Sequence, residues 1–176
     1  MGRAEGREVK KKASVAICGG RITPGRSRGI VAEAKRLGDR LGIEILLMDA
    51  RMVFGRVHVE SAVEHAARAF KRGTNVASSM MMEVLLYASG ERQLSSAIEK
   101  MGVRDGTRQV AIVVSDRMKQ KTILRELGIS ADDSVLGARA GRLTAFGVTP
   151  KATSGVPKEK AADLALERVA LVDIKK

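Results

Sequence analysis

The stretch IEILLMDARMVFGRVHVESAVEHAARAFKRG, Ile43 to Gly73, decides how the rest of the chain is read. Ile43 to Met48 is nearly all apolar, a short continuous run that suits a strand buried on both faces. Further on the period changes. Val63, Ala66, Ala67 and Phe70 recur at i, i+3, i+4 and i+7, the apolar stripe of a helix. Ser61, His65, Arg68 and Arg72 follow a similar spacing on a polar face. Gly73 can close that helix. A buried strand feeding an amphipathic helix points to helices packed on a sheet.

Outward from this stretch the pattern repeats. Ser14 to Cys18 is a short apolar run, and Arg28 to Leu41 has helical spacing that Gly42 stops. Thr74 to Ser79 is a polar link. Met80 to Ala88 is apolar nearly all round, with Glu83 its one charge, and Ser89-Gly90 breaks it. Leu94, Ala97, Ile98 and Met101 form another stripe, ended by Gly102. Val110 to Val114 is a third strand, and Asp116 can cap a basic helix running to Leu127. Residues 129–157 hold Gly137, Gly141, Gly147, Pro150, Gly155 and Pro157, which predict one short piece and a mobile loop near 137–157. A last helix runs from Lys158 to about Val169, and Leu171 to Ile174 either finishes it or forms an edge strand. The expected fold is α/β (α+β): one domain over 13–176, a small mixed sheet packed against several helices, behind a flexible basic arm at 1–12.

Composition agrees with one soluble domain. The 176 residues are 44% hydrophobic and 30% charged, and the charge-free run in the apolar middle, Gly73 to Met82, is far shorter than the ~20 residues a bilayer needs. No partner membrane is expected. The N-terminal lysines lead into no apolar signal core, so the expected location is cytoplasmic. A lone Cys18 rules out an intrachain disulfide, and two histidines could hold a metal only with carboxylate help. The net charge is +12, of which residues 1–40 hold +7. A chain this basic tends to meet a polyanion, and nucleic acid is the usual one. With no Trp, one Tyr and three Phe, an aromatic stacking platform cannot be built, so RNA would be held by charge, backbone groups and small pockets.

Gly20 to Ser27 has the spacing of a Walker A loop, and Ile43 to Asp49 imitates a Walker B strand. Arg26 stands where that loop needs a slim lysine, and Pro24 removes a backbone donor. Asp132-Asp133 read as a turn pair, Cys18 as a core thiol, and His58 and His65, seven apart, as too few for a metal site. No catalytic residue, cofactor or metal is expected. Met80 to Met82 suit a core, or a core and a partner surface. The basic segment with Arg117, Lys119, Lys121 and Arg125 reads as a solvated face. Arg68, Lys71 and Arg72 at a helix end suit the helix dipole, or equally a phosphate clamp.

A resemblance sharpens this. Ile43 to Asp49, Gly55-Arg56-Val57-His58, Ala62 to Ala66, Arg68-Ala69-Phe70 and Lys71 to Asn75 resemble the CGI-type small subunit of the KEOPS complex, the PRPK-binding protein family, archaeal type. The run Met82 to Leu94, continuing through Ala97 to Gly102, is more specific, and Leu86 to Gln93 is its sharpest part. The likeness covers about residues 14–128; Ala145 to Val148 and Leu166 to Leu171 fit more loosely.

The resemblance implies a subunit without chemistry of its own. It would serve tRNA modification, the synthesis of threonylcarbamoyladenosine next to the anticodon. It docks directly on the atypical kinase (ATPase) subunit, meets the transferase and dimerising subunits indirectly, and grips tRNA at its single-stranded 3′ CCA end. Carried onto this chain, the tRNA contacts are Arg68, Lys71, Arg72 and Asn75, and Tyr87, Ser89, Gly90, Arg92 and Gln93. The arginines and Lys71 would meet phosphates, Gly90 would admit a nucleotide, Asn75 and Gln93 could read a base edge, and Tyr87 could stack. The competing expectations are a degenerate P-loop nucleotide binder using Gly20 to Ser27, and a scaffold that binds only protein.

Overall fold

A computed structural model describes residues 14–137, together with 163, 166–167 and 169–171. The chain runs β1 (Ala16–Ile22), α1 (Ile30–Leu41), β2 (Ile45–Asp49), α2 (Arg56–Arg72), α3 (Met80–Ser89), α4 (Leu94–Met101), β3 (Gln109–Val114), α5 (Gln120–Glu126) and β4 (Ile129–Ala131). Three 3-10 turns, Ala50–Met52, Arg117–Lys119 and Asp133–Leu136, punctuate it. The arm at 1–12, residues 138–157 and the start of the last helix at 158 lie outside the described residues. Helical residues at 163, 166–167 and 169–171 fall in and just beyond the C-terminal helix expected from the sequence, and Val169 joins the core.

The sheet order is β2-β3-β1-β4, and every neighbouring pair is antiparallel. The sequence reading expected a mixed sheet. The alternation of strand and helix is real, since β1 and β2 point the same way around α1. But β3, arriving after three helices, inserts between them and runs against both.

The strands are buried on two faces because each face has its own helical layer. Along β3, Val110, Ile112 and Val114 meet Ile30, Ala34 and Leu37 of α1 and Ile123 of α5. Ala111 and Val113 point the other way, to a larger cluster with Ala62, Ala66 and Ala69 of α2 and most of α3. The period of two thus serves two cores. The Met80–Ala88 question resolves mainly as core. Met81 and the run Val84 to Ala88 are buried, while Met80 and Met82 are half-buried at its margin.

The basic helix expected from Asp116 opens as a 3-10 turn before α5 begins. Asp116 caps it by accepting the Met118 N–H at 2.9 Å. The short piece expected after 128 is β4 with the turn that follows. Asp133 ties that turn to the sheet, accepting the Gly19 N–H at 2.7 Å and an Arg56 N–H at 2.7 Å.

Candidate nucleic-acid interface

The first half of the expected site is the end of α2. Ala62, Ala66 and Ala69 bury one face, which leaves Arg68, Lys71 and Arg72 exposed on the other. Gly73 turns left-handed at φ 69°, and the N–H groups of Gly73 and Thr74 reach back to Phe70 and Ala69 carbonyls. This satisfies last-turn acceptors and stops the helix with its cations outermost. Arg68 lies 4.0 Å from Glu64. Lys71 and Arg72 enter no ion pair among the described residues.

The link that follows is held from beneath. Glu83 is fully buried in the first turn of α3, and its carboxylate accepts the N–H groups of Val76 (2.9 Å) and Ala77 (2.8 Å). Asn75 donates its amide to the Ala77 carbonyl at 3.0 Å. The one charge in an apolar helix is therefore the anchor of the loop beside Arg72, a role the sequence hinted at by its oddity. Glu83→Ala strips two backbone N–H groups of their buried acceptor, and thermal or urea unfolding should show a loss of about 2 kcal/mol. A loss under 0.5 kcal/mol would mean the loop does not depend on this carboxylate.

The second half is the end of α3. The four C-terminal carbonyls of a helix lack partners within it, and here each is met. Leu86 O receives the Gly90 and Glu91 N–H groups and the Ser89 hydroxyl, and Tyr87 O also receives the Gly90 N–H. Ala88 O faces His58 Nε2 at 2.9 Å, and Ser89 O accepts from Lys100 Nζ at 2.6 Å. Lys100 also pairs with Glu91 at 3.1 Å. Gly90, at φ 70°, is required by this closure. Arg92 and Gln93 follow, both exposed, with Gln93 at the N-cap of α4.

His58 was missed as an organiser. It is buried at the start of α2, and its Nδ1 accepts the Phe54 N–H at 3.0 Å, so Nε2 carries the proton given to Ala88 O. Desolvation pushes its pKa down to about 4, with the nearby Lys100 charge adding to the effect.

The structure groups Arg68, Lys71, Arg72 and Asn75 in one corner and Gly90, Arg92 and Gln93 in another. The corners sit at opposite ends of α3, whose ten residues separate them by about 15 Å. Tyr87 and Ser89 are 0% exposed. The Tyr87 ring packs 5.3 Å from that of His65 and is turned away from solvent, so it offers no stacking face in this conformation. The sequence showed an aromatic in the right segment but not which way its helix turns it.

The Walker-like segment is not a phosphate cradle. Gly20, Arg21 and Ile22 are strand, paired with β3 and β4. A Cβ on Gly19 would lie 2.5 Å from Asp132 O, and one on Gly20 2.4 Å from Ile129 Cγ2. These glycines let β4 and its turn approach β1. The Arg26 N–H bonds to Thr23 O, and Asp49 is held by Arg51 at 2.6 Å. Cys18 is core, its thiol pushed up to about 11 by burial first and the Asp133 charge second. Among the described residues no three His, Cys, Asp or Glu side chains are placed to share a metal, and no helix is long and apolar enough to cross a membrane.

Leu94 and Ile98 of α4 stay exposed, one turn apart, beside Arg92 and Gln93. The sequence showed them as part of that helix's apolar stripe. Only Ala97 and Met101 of that stripe are buried.

Comparison with known proteins bears on this arrangement. The regulatory protein Cgi121 of Methanocaldococcus jannaschii is 28% identical over 145 residues, spanning 77% of this chain and 88% of that protein. Residues 29–138, from the start of α1 to the turn after β4, match the family described as kinase binding protein CGI-121. That match spans more than half of the sequence, and the chain belongs to the CGI-121 family.

Proposed function

We propose that the chain is a non-catalytic KEOPS-type subunit that holds the single-stranded 3′ CCA end of tRNA while docked on the atypical kinase subunit. In this way it supports threonylcarbamoyladenosine synthesis in the cytoplasm, and it meets the transferase and dimerising subunits indirectly. One observation carries the reading: exposed cations without carboxylate partners among the described residues, Lys71 and Arg72 at one end of α3 and Arg92 at the other. Asn75 and Gln93 beside them supply groups that can meet base edges. An RNA end laid along this hairpin meets phosphate-binding groups at both ends of a fixed span. The family description supports the kinase partner. The exposed Leu94 and Ile98 pair supplies an apolar face for it next to the RNA turn. Tyr87 and Ser89 take supporting roles, holding the turn from inside.

Filter binding of an intact tRNA transcript and of one lacking CCA, each at two salt concentrations, tests this. The intact transcript should bind at least roughly tenfold tighter, and Arg92→Ala should flatten the log–log salt slope by about 0.7. Equal binding of both transcripts would leave only a nonspecific polyanion surface. Weaker Arg92→Ala binding at an unchanged slope would remove Arg92 from the phosphate contacts.

A further inference from the structure

We infer that the turn Arg117–Lys119 with Lys121 is a second RNA-contact surface, its cations meeting phosphates and Met118 meeting an unstacked base. This deepens the tRNA reading and rests on it.

Three observations converge. Arg117, Lys119 and Lys121 lie within five residues, the first and last exposed and Lys119 half-buried, and none is in an ion pair with a described residue. Several other described arginines are in ion pairs: Arg21 with Asp132, Arg28 with Asp105, Arg40 with Glu126, Arg51 with Asp49 and Arg56 with Asp133. The acid of this turn, Asp116, spends its carboxylate capping the Met118 N–H. The turn thus gathers three cations without an ion pair to a described residue into five positions.

Met118 between them is 78% exposed, the highest value among the exposed large apolar residues described. A flexible, polarizable side chain flanked by two cations suits the face of a base, while phosphates on either side meet the charges.

Position supplies the third. Glu60 of α2 lines the same surface cavity as Arg117. Arg68 lies eight residues further along α2, about 12 Å, so one strand can touch both. The turn is tied to the start of the described fold, where the Ser14 carbonyl accepts the Arg117 N–H at 2.8 Å. Glu60 and Glu64 lie between the two basic regions, which favours discrete phosphate contacts over a continuous charged band.

The test uses the full chain, an unmodified tRNA transcript and a salt series. The triple variant Arg117→Ala, Lys119→Ala, Lys121→Ala should flatten the log–log slope by about 1.5–2 and weaken binding roughly 15-fold or more near physiological salt. Met118→Ala should weaken binding at an unchanged slope. A charge-matched control on α1, Lys35→Ala, Arg36→Ala, Arg40→Ala, should change neither by more than about twofold. All are surface changes, and melting curves check folding. An unaltered triple variant, or a control that falls as far, overturns the inference while CCA-dependent binding by the wild type keeps the tRNA reading. No tRNA binding by the wild type overturns both.

Discussion

His58→Ala should lower the free energy of unfolding by about 4 kcal/mol. The substitution removes a buried ring and strands two buried backbone groups, the Phe54 N–H and the Ala88 carbonyl. Those groups belong to the approach to α2 and the end of α3, so the damage falls on the hairpin that carries both basic corners. Urea denaturation at neutral pH measures it. A loss near 1 kcal/mol would mean that the pocket refills and that His58 is not the tie described.

The same residue sets a pH dependence. Its pKa is about 4 in the fold against an ordinary 6.5, so between these values the unfolded chain binds a proton that the native chain refuses. Its contribution to stability is complete above pH 6.5 and falls as pH drops towards 4, by at most about 3 kcal/mol. Below that it falls no further. Subtracting the profile of His58→Gln isolates the effect. Parallel profiles for the two proteins would show that the ring titrates normally.

The second large effect concerns RNA. The triple variant Arg68→Ala, Lys71→Ala, Arg72→Ala removes three cations from the end of α2 without touching its buried face. If each meets one phosphate, the log–log salt slope flattens by about 2 and affinity for intact tRNA falls on the order of 50-fold near physiological salt. Stability should fall by about 1–3 kcal/mol at most, because helix-end cations are worth about 0.3–1 kcal/mol each. If stability collapses while the slope is kept, these residues serve the helix dipole and not RNA.

Much of this was legible from residue patterns. The elements from Ile30 to Val114 fall where the apolar pattern puts them, because helices α1, α2 and α4 show a stripe, β2, β3 and α3 are continuous apolar runs, and the helices α1 to α4 each end at a glycine. The sheet order was not legible: adjacency of β1 and β3 depends on a pairing across some ninety residues that no local pattern encodes. The site divides the same way. Exposed cations at a helix end can be read from sequence, whereas the inward turn of Tyr87 and Ser89 depends on α3 being enclosed on nearly every side. Glu83 and His58 were visible only as a charge and an imidazole in apolar settings. What they hold, backbone groups outside their own helices, appears only in three dimensions.

The enclosure of Tyr87 has an optical consequence. It is the chain's one tyrosine, and there is no tryptophan, so intrinsic fluorescence comes from a single sealed ring beside His65. That emission reports whether α3 remains enclosed and is silent towards molecules arriving at the surface. Emission unchanged while RNA binds means that the ring stays inside. Emission quenched in step with binding means that the ring has swung out to meet a base.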